Sequence, residues 1–472
     1  MSSSLPRGSA AAHQVNAAGV LEFLDAMDGT PGIELHSLML VRHGVVLAEG
    51  WWAPYRADRV HLLYSLSKSF AATAAGIAAA EGLIDLDDTL VSHFPEFEAD
   101  ITDPRSRAIR LRHLVTMTAG HRQGMLQTAW ETDHHEVVRG FLLQPPELEP
   151  GRVFAYDSAC TYALSAVVQR RAGTPLTEYL RPRLFEPLGI GEVGWLTDRP
   201  GREEGFTGLH ARTEDIARLG QLYLQHGRWE GRPLVPDAWV REATRPQVDS
   251  PAESNPDWRQ GYGYQFWMSR HGYRGDGLYG QFCLVLPEQD AVIAITAGTD
   301  DMQAILDGVW AHLLPAFDTA VPEPGSAVED RLSARLESLA LAPPTGASTP
   351  AGPAARWTAP TFVVADPDRV FAVKIIETGT DWHLDLFESD HPLRVRVGFS
   401  EWAITEHPAP IACAGGWLDR DTFRAEAILL ETPHRFTITC SLQNRSAHFS
   451  WWTVPVDTLP LAEMCSPGPS DS

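Results

Sequence analysis

The sequence predicts an α+β protein: an antiparallel sheet flanked by helices with a helical subdomain, followed by a small antiparallel β domain. Three observations predict it. Two strand-like runs stand near the start, a long middle region has helical apolar spacing, and strand character returns before a break rich in Pro and Ala. The strands of the first domain thus come from both ends of its chain, with the helices between them.

Residues 1–13 read as disordered, and 15–27 have the apolar spacing of a helix. Residues 36–42 and 45–52 form a hairpin turning at His43-Gly44. Residues 65–81 make an Ala-rich helix. Helical patterns follow at 109–117, 161–171 and 214–226. Residues 273–286 and 291–297 are strands, and 302–314 is a closing helix. Residues 342–355 (APPTGASTPAGPAA) have linker composition. Short β-type runs separated by turns follow at 369–377, 382–387, 393–399, 423–430 and 436–441. The division expected is an α+β domain at 14–318, a helical segment and linker at 319–355, and the β domain at 356–460.

A chain of 472 residues is too long for one ordinary core. A net charge of −23 excludes nucleic acid and anionic membrane surfaces as partners, because phosphate binding needs clustered cations. The start lacks the basic and apolar segments of a secretory signal, and no apolar run is long enough to span a bilayer. Five scattered cysteines without CxxC spacing fit a reducing compartment, so a cytoplasmic location is expected. Asp133, His134 and His135 lack the spacing of a helical ligand pair, so neither a metal nor another cofactor is expected. Of the 38 basic residues only Lys68 and Lys374 are lysines. Where a chain uses Arg for nearly every cation, a retained Lys points to a need Arg cannot meet, the loss of a proton near neutral pH.

Lys68 closes the motif Ser65-Leu66-Ser67-Lys68 at the start of the Ala-rich helix. Residues three apart share a helix face, which sets the amine beside the Ser65 hydroxyl. The positive helix end and burial both disfavour the ammonium, so Lys68 is a candidate general base and Ser65 a candidate nucleophile. Tyr156-Asp157-Ser158 ends the run PGRVFAYDS; a phenol there can relay a proton if nearby cations lower its pKa. The strand YRGDGLYGQF, Tyr273 to Phe282, has glycines that let backbone approach backbone or ligand closely, and its edge can offer an N–H to an oxyanion.

Together these motifs resemble the serine β-lactamase and DD-peptidase superfamily, in its class C β-lactamase-like, penicillin-binding-protein-like branch. The resemblance runs over roughly residues 15–317. It includes residues 81–88 (EGLIDLDD), 109–120 (IRLRHLVTMTAG), 184–189 (LFEPLG) and 213–218 (TEDIAR). It implies that Ser65 is acylated, that Lys68 takes its proton and that Tyr156 shuttles protons. It also implies an oxyanion hole of the Ser65 and Leu278 backbone amides, with Ser158, Arg274, Asp276 and Gly277 contacting substrate. Relatives usually carry Tyr-x-Asn and Lys-Thr-Gly or His-x-Gly; here Ser158 and Gly275-Asp276-Gly277 stand instead. The usual cation is missing, and Arg274 or His271 is the candidate replacement. The β domain resembles the lipocalin-like appendages of such hydrolases.

The expected activity is hydrolysis of an ester or amide in a small-molecule or peptide substrate. Acyl transfer or peptide cyclisation would use the same residues, and a non-catalytic binder on the same fold is a third reading, opposed by the intact Ser65, Lys68 and Tyr156.

Overall fold

The computed structural model of the protein describes residues 4–365, 369–389 and 391–468. The first domain is organised by a six-stranded antiparallel sheet in the order Val45–Trp51, Leu35–Arg42, Ala291–Ala297, Gln281–Leu286, Tyr273–Gly277, Trp267–Met268. Strands from the two ends of the domain meet where Leu35–Arg42 pairs with Ala291–Ala297. The first hairpin turns at His43 and Gly44, both at positive φ, the twist a two-residue hairpin favours.

Side chains alternate across the sheet, so it feeds two cores. Leu38, Leu40, Phe282, Leu284 and Ile293 face one core, shared with the helices Ala17–Gly29, Met302–Gly308 and Ala327–Glu337. Met39, Val41, Cys283, Val285 and Val292 face the other, shared with Ser67–Ala80, Ser158–Ala172 and Thr213–Leu224. The latter core extends into the helical subdomain through Phe94, Leu114, Phe141 and Leu164.

The start of the chain departs from the expected disorder. Leu5 is buried, Gly8 N donates to the Val46 carbonyl, and Arg7 pairs with Glu49 and Glu214. An apolar anchor and a bridging guanidinium hold residues 4–13 on the hairpin; residues 1–3 lie outside the described residues.

The second domain is a nine-stranded sheet running from Leu393–Val397 at one edge to Ala403–Thr405 at the other. It nearly closes, because Gly398 bridges Ala414. It is mixed rather than purely antiparallel: Phe362–Val364 enters parallel to Ser446–Trp451. Its interior is filled by Trp357, Trp382, Trp417 and Phe423, with Trp382 and Trp417 ring centroids 4.7 Å apart. The segment joining the domains is pinned rather than free: Leu341 N donates to the Ala53 carbonyl, and Ala347 exchanges backbone hydrogen bonds with Trp417. Tyr55 of the first domain is buried with Ala412, Ile428 and Leu430 of the second. No described helix is long and apolar enough to cross a membrane.

Candidate active site

Ser65 lies in a short 3-10 turn, Tyr64–Leu66, just before the helix Ser67–Ala80. The turn rather than the first turn of the helix presents it, with Leu66 N donating to the Leu63 carbonyl. Tyr64 adopts φ 47°, a left-handed conformation that costs a non-glycine residue of order 1–3 kcal/mol. One helical step on, Lys68 is 1% exposed, and its Nζ lies 2.9 Å from both Ser65 Oγ and the Phe206 carbonyl. Burial pulls the Lys68 amine down to about 7, against the opposing pull of the Asp276 and Asp157 carboxylates. A large fraction is thus neutral near pH 7.

Tyr156 lies beside the same pair, its ring centroid 5.0 Å from Lys68 Nζ. It stacks on Trp267 at 5.3 Å. Its pKa moves opposite to the shift the sequence reading required. Burial raises it, Asp276 adds to the rise, and a hydrogen bond with Ser65 opposes it. The phenol stays protonated, so Lys68 and not a phenolate is the available base. Asp157 caps the following helix through the Ala159 amide, and Ser158 opens that helix without being part of the cleft lining.

The strand Tyr273–Gly277 packs against the serine turn. A Cβ on Gly277 would stand 2.0 Å from the Leu63 carbonyl, and one on Gly275 would stand 2.4 Å from Leu66 Cδ1. Glycine is required at 277, where the contact is backbone, whereas at 275 the close atoms belong to the Leu66 and Ser69 side chains. A lysine or histidine at position 275 would meet the Leu66 side chain of the turn and the Ser69 side chain of the following helix. Beyond the strand, Leu278 sits 38% exposed in the cleft wall and its amide donates to no acceptor among the described residues. Tyr279 follows at φ 67°.

Ser65, Tyr156, Asp276 and Leu278 line one cleft of about 410 Å³, together with Trp258, Trp267 and Met302. Glu253, Asp300 and Asp301 add carboxylates, and no lining residue is cationic. Arg274 does not supply the missing charge to the opening. It is completely buried, lies 4.3 Å from the Trp258 ring centroid, and donates to Asp276 and to the Asp257 and Met268 carbonyls. His271 lies outside the cleft lining, its ring centroid 5.1 Å from that of Trp310. The structure therefore brings Ser65, Lys68, Tyr156, Asp276, Gly277 and Leu278 together and leaves Ser158, Arg274 and His271 outside the cleft. Sequence reasoning missed Phe206, Glu253, Trp258, Trp267, Asp300 and Asp301, whose positions depend on loop packing and carry no local motif.

A family model described as Beta-lactamase matches residues 22–311. The 6-aminohexanoate-dimer hydrolase of Paenarthrobacter ureafaciens is 25% identical over 280 residues, 54% of this chain and 71% of that protein. Esterase EstB of Burkholderia gladioli is 27% identical over 187 residues, 35% of this chain and 47% of that one. Among solved structures, a putative 6-aminohexanoate-dimer hydrolase from Bacillus anthracis superposes with a TM-score of 0.55 at 19% identity, covering 68% of this chain and 89% of that chain.

Proposed function

The chain belongs to the beta-lactamase family and is a serine hydrolase, and from that premise we propose that it cleaves an ester or amide through an acyl-enzyme on Ser65. The observation that carries this reading is the 2.9 Å approach of the buried Lys68 amine to Ser65 Oγ. The neutral amine takes the hydroxyl proton as Oγ bonds to the substrate carbonyl carbon. The resulting oxyanion is held by the Ser65 and Leu278 amides. Tyr156, kept protonated, passes a proton to the departing alcohol or amine and is recharged from Lys68. Water then repeats the sequence on the acyl-enzyme and releases the acid.

The test is intact-mass spectrometry after exposure to a fluorophosphonate, with the adduct mapped by peptide mass. One adduct on Ser65, with turnover of p-nitrophenyl esters lost in proportion, is the expected result. An adduct elsewhere, or none, overturns the assignment.

The charge of the cleft leads to a prediction about substrates. A penicillin brings a carboxylate toward Asp276, Glu253, Asp300 and Asp301, with Arg274 already engaged. Like charges a few ångströms apart at a half-buried site repel by a few kcal/mol. Benzylpenicillin is therefore expected to have kcat/KM about 100-fold or more below that of a neutral p-nitrophenyl ester. Comparable values in a direct rate comparison would contradict it.

A further inference from the structure

The two backbone amides assigned to the oxyanion are each flanked by a tyrosine in a left-handed conformation, Tyr64 before Ser65 and Tyr279 after Leu278. Both phenols leave the first domain and bond to the second. Tyr64 Oη lies 2.6 Å from His434 Nε2, and Tyr279 Oη donates to the Val454 carbonyl. The three rings meet edge to face, with centroids 5.8 Å apart for Tyr64 and Tyr279, 5.8 Å for Tyr64 and His434, and 5.6 Å for Tyr279 and His434.

His434 is built to accept. It is completely buried, and its Nδ1 lies 3.0 Å from the Thr453 carbonyl. An imidazole that donates from Nδ1 to a carbonyl carries a bare Nε2, so Tyr64 is the donor. Burial brings the imidazole down to about 3, so it remains neutral and cannot compete with Lys68 as a base. The loop that carries it is itself clamped. Leu62 N donates to the Glu431 carbonyl at 2.7 Å, Tyr55 Oη to the Thr432 carbonyl, and Thr453 Oγ1 to the Pro433 carbonyl.

We propose that the β domain is a working part of the active site, with His434 and the Val454 carbonyl acting as positioning groups that hold Tyr64 and Tyr279, and through them the Ser65 and Leu278 amides, in register for the oxyanion. This rests on the acyl-enzyme reading above. A strained left-handed residue persists only where its surroundings fix it, and here the fixing contacts come from a separate domain. The β domain, whose interior is filled by aromatic side chains, thus contributes through its 430–434 turn and the 453–454 backbone.

The experiment uses the full chain with Tyr64→Phe, His434→Phe and Ser65→Ala, a p-nitrophenyl ester, and phenylboronic acid as a tetrahedral mimic. Tyr64→Phe and His434→Phe are expected to lower kcat by about 10- to 100-fold, less than deletion of an oxyanion donor, with KM within about threefold of the parent. Boronate affinity should fall in parallel with kcat. Tyr64→Phe removes one hydroxyl, so it reports even if His434→Phe does not fold. Tyr64→Phe within twofold of the parent in kcat, or a changed KM with unchanged boronate affinity, overturns the proposal. Failure of the acyl-enzyme reading looks different: Ser65→Ala would then retain turnover.

Discussion

Ser65→Ala is expected to lower ester turnover by about 10⁴-fold or more while leaving the fold intact. Removal of a covalent nucleophile costs several orders of magnitude, because the residual binding site and oxyanion donors recover only a fraction of the rate. The substitution is structurally mild. Ser65 Oγ interacts with Lys68 and Tyr156, and Lys68 keeps its second acceptor, the Phe206 carbonyl. The backbone amide of residue 65 also remains. The check is kcat/KM on an activated ester alongside circular dichroism and a thermal melt. A variant that is folded and retains more than about a tenth of the parent activity would exclude Ser65 as nucleophile.

The sheet was legible because its strands are β-rich in sequence. Residues 291–297 were read as a strand with the same bounds that the structure gives to Ala291–Ala297. The strand Ile411–Trp417 was not read, and its composition explains why. Only its two end residues, Ile411 and Trp417, are of the β-branched or aromatic kind that marks a strand; the five between them are Ala, Cys and Gly. Its glycines answer to close neighbours instead: a Cβ on Gly415 would stand 2.4 Å from the Arg424 carbonyl, and one on Gly416 would stand 2.7 Å from the Gly346 backbone of the joining segment. The parallel entry of Phe362–Val364 was also hidden, since pairing direction is set by topology and not by residue type.

The site divides in a similar way. Ser65 and Lys68 were legible because one helical step joins them, a local relation that survives any tertiary context. Arg274 was read as a substrate contact from its charge. Sequence gives charge but not direction, and this guanidinium is turned into the protein beside Asp276. His434 left no signal, being 370 residues from the Tyr64 it meets. A contact of that kind is created by domain docking alone.

Lys68→Arg is expected to be nearly as damaging as Lys68→Ala, each lowering the acylation rate by about 10²- to 10⁴-fold, the range associated with loss of a general base. The chain uses 36 arginines and two lysines, so a guanidinium serves nearly everywhere it needs a cation. If Lys68 supplied only positive charge beside Asp276 and Tyr156, Arg would restore much of the rate. If it accepts the Ser65 proton, Arg fails, because a guanidinium stays protonated in a protein. The pH profile gives an independent reading of the same group. Burial brings the amine down to about 7, so acylation by the parent enzyme should rise with pH through about 7 and then level off. Stability follows the same linkage. Between about 7 and the ordinary lysine value of 10.5 the unfolded chain holds a proton that the native chain has lost, so the native state gains stability as pH rises through that window and carries its full penalty below it. Lys68→Met should accordingly raise the thermal midpoint more at pH 6 than at pH 9, while abolishing turnover at both. Pre-steady-state acylation with one activated ester, measured for the parent and the Arg and Ala variants, separates the two roles: an Arg variant within a few-fold of the parent would reduce Lys68 to an electrostatic residue.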